Sequence, residues 1–137
     1  MFVRDLMTLS VTTVSPLSSV AEVIDVMRRE DTGIVPVCDL QNHLLGLITD
    51  RDIILRSGLM ENKTAEAIMT TKIVSVSPKE DIHKAALILS ENSIRRLPVI
   101  ENDHLVGMLS LRDLAKKKVM TAEIGHIIYN VCNHSRP

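Results

Sequence analysis

The chain is written twice. Met7-Thr8 recurs as Met69-Thr70, Val14-Ser15-Pro16 as Val76-Ser77-Pro78, and Pro36-Val37 as Pro98-Val99, all at an offset of 62 residues. A one-residue gap then lowers the offset to 61, and His43-Leu44-Leu45-Gly46 matches His104-Leu105-Val106-Gly107. At the same offset Thr49-Asp50-Arg51-Asp52 matches Ser110-Leu111-Arg112-Asp113. Two copies are too few for a solenoid, in which inner repeats are covered by neighbours on both sides. They suit a closed pseudo-symmetric pair, each half covering the other.

Each copy carries the same order of elements. A short apolar segment (11–14 or 73–76) leads to Ser-Pro, where a helix is expected to open, because proline is tolerated in the first helical turn. In the second copy Ser77-Pro78-Lys79-Glu80 also reads as a capping box. The helical stripes that follow are Val20, Val23, Ile24 and Met27, then Ile82, Ala85, Ala86 and Leu89. Two strands come next, at 34–38 and 44–48 in copy one and at 97–100 and 105–109 in copy two. Each pair is joined by a polar turn and reads as a hairpin; the proline in the first strand points to an edge or a strand start. A second helix begins at Thr49 or Ser110. The expected fold is α/β, with two pseudo-symmetric β-α-β-β-α repeats packed sheet to sheet, each half a sheet covered by helices. Repeat one spans 1–57, a polar connector 58–63, repeat two 64–118 and a helical tail 119–137. The turn at 3–7 corresponds to 65–69. The stripe Ile124, Ile127, Ile128 and Val131 in the tail has no counterpart in the repeat, and either closes the core or meets another subunit.

Composition narrows the function. Of the 137 residues, 45% are hydrophobic and 24% charged, with a formal net charge of −1. The apolar runs are far shorter than the roughly 20 residues that span a bilayer, and Arg4 and Asp5 interrupt any signal-like start, so a soluble cytoplasmic protein without a membrane role is expected. Phe2 and Tyr129 are the sole aromatics, and no basic groove accompanies them, which argues against nucleic acid; Lys116-Lys117-Lys118 reads as a solvated helix face. Cys38 and Cys132 form neither a disulfide framework nor CxxC and read as buried or inert thiols. His43, His83, His104, His126 and His134 make no metal-ligand spacing, and no nucleophile elbow or phosphate-binding glycine motif occurs, so neither a metal nor a catalytic residue is expected, and the chain is not read as an enzyme. His43 and His104 stand beside the hairpin turns, where exposure is expected.

Chemistry concentrates at the matched tetrapeptides. A Thr or Ser with Asp three residues on is a helix start, its hydroxyl oxygen accepting an N–H of the first turn. Such a start offers free N–H groups and partial positive charge to a phosphate. Thr49 and Ser110 add hydroxyl donors, Arg51 and Arg112 add cations, and Asp52 and Asp113 can each accept hydrogen bonds from a vicinal diol. Both copies keep all three functions, while Asp50 becomes Leu111.

Met-Thr…Val-Ser-Pro, then Gly33-Ile-Val-Pro-Val37 or Arg95-Arg-Leu-Pro-Val99, then Gly46-Leu-Ile-Thr-Asp-Arg-Asp52 or Gly107-Met-Leu-Ser-Leu-Arg-Asp113 resemble a tandem pair of CBS (cystathionine β-synthase) domains, a Bateman module. The resemblance covers about residues 3 to 118. It implies a regulatory module that senses AMP, ADP or ATP, with S-adenosylmethionine or NAD as other candidates, in clefts between the two repeats. Carried over by residue, Asp52 and Asp113 take the ribose, and Thr49 and Ser110 take the phosphate together with Arg51 and Arg112. The segments Thr13-Val14 and Ser75-Val76 and the strand starts Gly33-Ile34 and Arg95-Arg96 line the base and phosphate ends of the clefts. Copy two has Arg95 and Arg96 where copy one has Gly33 and Ile34, so the cleft reached by Arg95 or Arg96 is expected to be the tighter one for a di- or triphosphate, since an arginine–phosphate bond is charge-assisted. A homodimer and an effector protein in trans are implied. The alternative is a scaffold of the same fold that binds no ligand and acts by dimerisation or docking.

Overall fold

The computed structural model describes residues 1–56, 63–117 and 121–134. The connector expected at 58–63 therefore lies, apart from Lys63, outside the described residues, as do Lys118 and parts of the tail.

Ser-Pro does not open the helices. Ser15 and Ser77 begin turns instead: the Ser18 and Glu80 amides donate to the Ser15 and Ser77 carbonyls (3.0 and 3.1 Å), and the two serine hydroxyl oxygens accept from Leu17 and Lys79. Proline fixes the second position of such a turn. Helix α1 (Val20–Glu30) starts later, capped by Ser19 Oγ accepting from Glu22 N–H, and the equivalent α4 (Ile82–Asn92) is capped by Asp81 accepting from His83 N–H. The expected capping box at Ser77–Glu80 is thus replaced by a turn followed by an Asp81 cap. Both helices end on a left-handed residue, Asp31 (φ 49°) and Ser93 (φ 53°).

Strands β1 (Ile34–Cys38) and β2 (Leu44–Thr49) form one antiparallel hairpin, and β3 (Arg96–Glu101) and β4 (His104–Ser110) the other. Asn102 and Asp103, both with positive φ, make the tight second turn. The longer first turn carries the extra residue of copy one, with Asp39 Oδ1 accepting from Gln41 and His43 N–H. Each hairpin has a further single-residue bridge on both outer edges. Val14 lies parallel to Val37, and Thr70 exchanges two bonds with Leu47; Val76 lies parallel to Val99, and Thr8 exchanges two bonds with Met108. The first strand of each copy is therefore a single bridged valine. Pro36 lies opposite Leu47, whose N–H and C=O both point outward to Thr70, so the missing proline N–H costs this ladder nothing. It sits between neighbours, not at an edge.

The described residues form two compact units. The Asp52 unit comprises Thr12–Ile73 with Asp103–Leu105, and the Asp113 unit comprises Met1–Val11, Val74–Asn102 and Val106–Pro137. The leading segment of each copy thus packs with the body of the other. Val3, in a 3-10 turn (Val3–Asp5), is buried in the Asp113 unit, and Ala65 and Ile68 of α3 (Ala65–Ile68) are buried in the Asp52 unit. Short helices α2 (Asp50–Arg56) and α5 (Leu111–Ala115) follow β2 and β4. Helix α6 (Thr121–His134) packs on α4 and α5, burying Ile127 fully and Ile124 and Val131 in part, while Ile128 stays 48% exposed. Of the two roles open to this stripe, core closure is the one seen.

The stripe of α4 is buried as expected at Ile82, Ala85, Ala86 and Leu89. On α1 it shifts: Val23 and Val26 are buried, and Ile24 is 36% exposed. Ile24 is the equivalent of Ala86, and α6 packs over α4, not α1.

Candidate functional site

Thr49 ends β2 and opens α2; Ser110 ends β4 and opens α5. The two starts are built alike. Asp52 N–H donates to Thr49 Oγ1 (3.2 Å) and Thr49 N–H donates back to Asp52 Oδ2 (2.9 Å). Asp113 N–H donates to Ser110 Oγ (3.0 Å) and Ser110 N–H to Asp113 Oδ2 (2.9 Å). This reciprocal arrangement satisfies two backbone donors at each helix start. It does not exhaust the side chains. A hydroxyl that accepts through a lone pair still has its proton to donate, and a carboxylate has about four acceptor positions. Asp52 Oδ1 is 3.6 Å from Arg56 Nε, and its side chain is 12% exposed. Asp113 Oδ1 has no recorded partner among the described residues.

The helix starts offer fewer free N–H groups than the sequence suggests. Besides the two capped amides, Asp50 N–H donates to the Gly33 carbonyl (2.9 Å) and Leu111 N–H to the Arg95 carbonyl (2.8 Å). In the Asp52 unit the Arg51 N–H is also taken, by Asp50 Oδ1 at 2.8 Å. The first turn of α2 is therefore closed to an anion at its first three amides, and the hydroxyl and the arginines are left as donors there.

The same bonds bring Gly33 to Asp50 and Arg95 to Leu111, while Ile34 pairs with Thr49 in the hairpin register. Arg51, Arg95, Arg96 and Arg112 are exposed and make no ion pair among the described residues, so no pairing of Arg95 or Arg96 with Glu91 or Glu101 competes for them. Val14 and Val76 present little surface. The two residues are 8% and 6% exposed in the two cores, and their N–H and C=O groups are spent on β1 and β3. Their neighbours Ser75 and Thr13 are exposed and half-exposed. Thr13 and Val14 border a groove of about 510 Å³ against α1, with Thr12, Ser18, Glu22 and Asp25; neither Gly33 nor Asp52 lines it.

Other polar groups fall into pairs. His43 and His104 are half-buried with ring centroids 4.7 Å apart, in place of the exposure expected, and His43 Nδ1 is 2.8 Å from Asp39 Oδ2. The backbone N–H of His43, above all, holds the Asp39 carboxyl below its ordinary range. His83 Nδ1 meets Glu123 Oε1 at 2.9 Å across α4 and α6. No group of three or more His, Cys, Asp or Glu among the described residues is arranged to hold a metal ion. Burial first, and then the Asp39 charge, pushes the Cys38 thiol up to about 11, so it is protonated at neutral pH; Cys132 is exposed. No helix among the described residues is long and apolar enough to cross a membrane.

Comparison with known proteins agrees with this architecture. The protein YhcV of Bacillus subtilis (strain 168), which contains CBS domains, is 33% identical over 97% of this chain and 96% of its own. A crystal structure of Hypoxic Response Protein I with two coordinated zinc ions superposes at TM-score 0.76 and 32% identity, covering 85% of this chain and 98% of that one. The structure of CBSX2 in complex with AMP superposes at TM-score 0.78 and 26% identity, covering 88% and 98%. The model of the CBS domain matches residues 3–58 and again 65–119, and with both helix starts, both hairpins and both bridging valines duplicated, the chain belongs to the CBS domain family as a tandem pair.

Proposed function

We propose that the chain is a regulatory module that binds adenine nucleotides and related adenosine compounds, with one ribose position in each unit. The observation that carries this reading is the duplicated capping box, which leaves a hydroxyl proton and acceptor positions on a carboxylate at both helix starts. Asp52 and Asp113 accept the ribose hydroxyls; Thr49 and Ser110 donate to the group on the ribose 5′ carbon, a phosphate in a nucleotide; Arg51, Arg112, Arg95 and Arg96 supply charge. The likeness to CBSX2, solved with AMP, supports the same ligand class. ATP, ADP, NAD and S-adenosylmethionine share the adenosine part. The ligand acts by favouring one conformational population over another, which a second copy or an effector protein reads.

Thermal unfolding with AMP, ADP, ATP, NAD and S-adenosylmethionine tests this. A ligand at 100 times its dissociation constant stabilises the fold by about 2.7 kcal/mol. Asp52→Ala and Asp113→Ala should each weaken binding at their own site by about 10- to 100-fold, through loss of roughly 1.5–3 kcal/mol of hydrogen bonding to a charged group. A melting curve unmoved by all five compounds would leave the docking scaffold as the function. Variants that melt lower but bind as before would confine both aspartates to capping.

A further inference from the structure

We infer that Asp50 sets the charge of the ligand taken by the Asp52 unit, so that this site selects an uncharged or cationic adenosine compound while the Asp113 site selects a phosphorylated one. This rests on the nucleotide-binding reading above.

The two sites share a backbone and differ in charge. At the first position of α2, Asp50 donates its N–H to the Gly33 carbonyl; at the first position of α5, Leu111 does the same to Arg95. The side chains then diverge. Leu111 turns onto the apolar core of its unit. Asp50 stays exposed, and its carboxylate lies over Gly33, with Oδ2 3.1 Å from where a Cβ on that glycine would stand. Gly33 is thus the residue that leaves room for this carboxylate. Its equivalent is Arg95. At three matched positions the Asp52 unit carries Gly33, Ile34 and Asp50, with one negative charge; the Asp113 unit carries Arg95, Arg96 and Leu111, with two positive charges.

Asp50 also removes a donor. Its Oδ1 occupies the Arg51 N–H, and no acceptor for the equivalent Arg112 N–H is recorded among the described residues. A phosphate at the Asp52 site would meet a carboxylate, no free amide among the first three residues of α2, and two cations: Arg51, and Arg56, whose Nε is 3.6 Å from Asp52 Oδ1. A neutral 5′ group avoids the repulsion, and a cationic one gains from it. The ribose contact through Asp52 is common to both sites.

Calorimetric titration of the intact chain with adenosine and with AMP tests the inference. Wild-type protein should take AMP at one high-affinity site per chain. Asp50→Asn, which keeps an oxygen to accept the Arg51 N–H, and Asp50→Leu, which copies the second repeat, should each raise AMP affinity at the other site by about tenfold or more. Adenosine affinity should stay unchanged. Two equivalent AMP sites in the wild type would overturn the inference while leaving the nucleotide reading intact. So would variants that leave AMP affinity unmoved, or that shift AMP and adenosine equally, as a structural role for the Asp50–Gly33 contact would. Absence of binding by either compound to the wild type would overturn the nucleotide reading and this inference together.

Discussion

The matched residues Met-Thr and Gly recur because they touch. A Cβ built on Gly107 would stand 2.8 Å from Met7 Sδ and 2.9 Å from the Thr8 carbonyl oxygen, and one on Gly46 would stand 2.5 Å from Met69 Sδ. Both glycines are buried strand residues over which the leading Met-Thr of the other copy is laid. At Gly107 the obstacle includes backbone fixed by the two Thr8–Met108 bonds, which cannot swing aside as a thioether can. Gly107→Ala should therefore lower unfolding stability by about 1–3 kcal/mol, the range for overpacking a filled site. In Gly46→Ala the nearest clash is with the Met69 side chain, so shortening it by Met69→Ala should recover part of the loss. Urea denaturation of the single and double variants measures both. Equal loss in Gly46→Ala with and without the second change would count against the contact.

At the scale of elements, α6 explains where sequence periodicity succeeds and where it does not. The α4 stripe was legible because α4 is covered on two sides, by its hairpin and by α6, so all four apolar positions are buried. On α1 the same period overstates the buried face: Ile24 depends on a cover that α6 provides for Ala86 alone. Ser-Pro does not separate a helix start from a turn, because a proline that suits the first turn of a helix equally suits the second position of a β-turn. Of the candidate site, the Thr/Ser-x-x-Asp starts are local and could be read from spacing. The Asp50–Gly33 contact joins residues 17 apart in sequence through the hairpin register, and spacing alone cannot reveal it. The importance of α6 can be tested at its fully buried residue. Ile127→Ala removes a side chain enclosed by the Asp113 core and should cost about 2–5 kcal/mol. Ile128→Ala, at a position 48% exposed, should cost much less. If calorimetric melting shifts equally for the two, α6 is not the closure seen here.

For the whole molecule, the exchange of leading segments makes the N-terminus part of the unit that carries the second capping box. Residues 1–11 cluster with the Asp113 unit, not with the repeat they precede. They contribute the buried Val3, the Val3 N–H bond to the Glu80 carbonyl, the Arg4 N–H bond to the Pro78 carbonyl and the Thr8 exchange with Met108. Met108 lies on β4, two residues before Ser110, so the strand that presents the second capping box is edged by chain from the first ten residues. In the Asp52 unit the equivalent edge is Thr70 on Leu47. Deletion of residues 1–11 should therefore act on one unit. Amide exchange should lose protection at Met108, whose acceptor is the Thr8 carbonyl, and at Ile82, whose acceptor is the Met1 carbonyl. Leu47, bonded to Thr70, should keep its protection. AMP affinity should fall with the Asp113 site, and Asp50→Asn introduced into the truncated chain should still create the phosphate-tolerant site on the other unit. Parallel loss of protection at Met108 and Leu47 would mean that the units do not stand independently, and would sink this prediction.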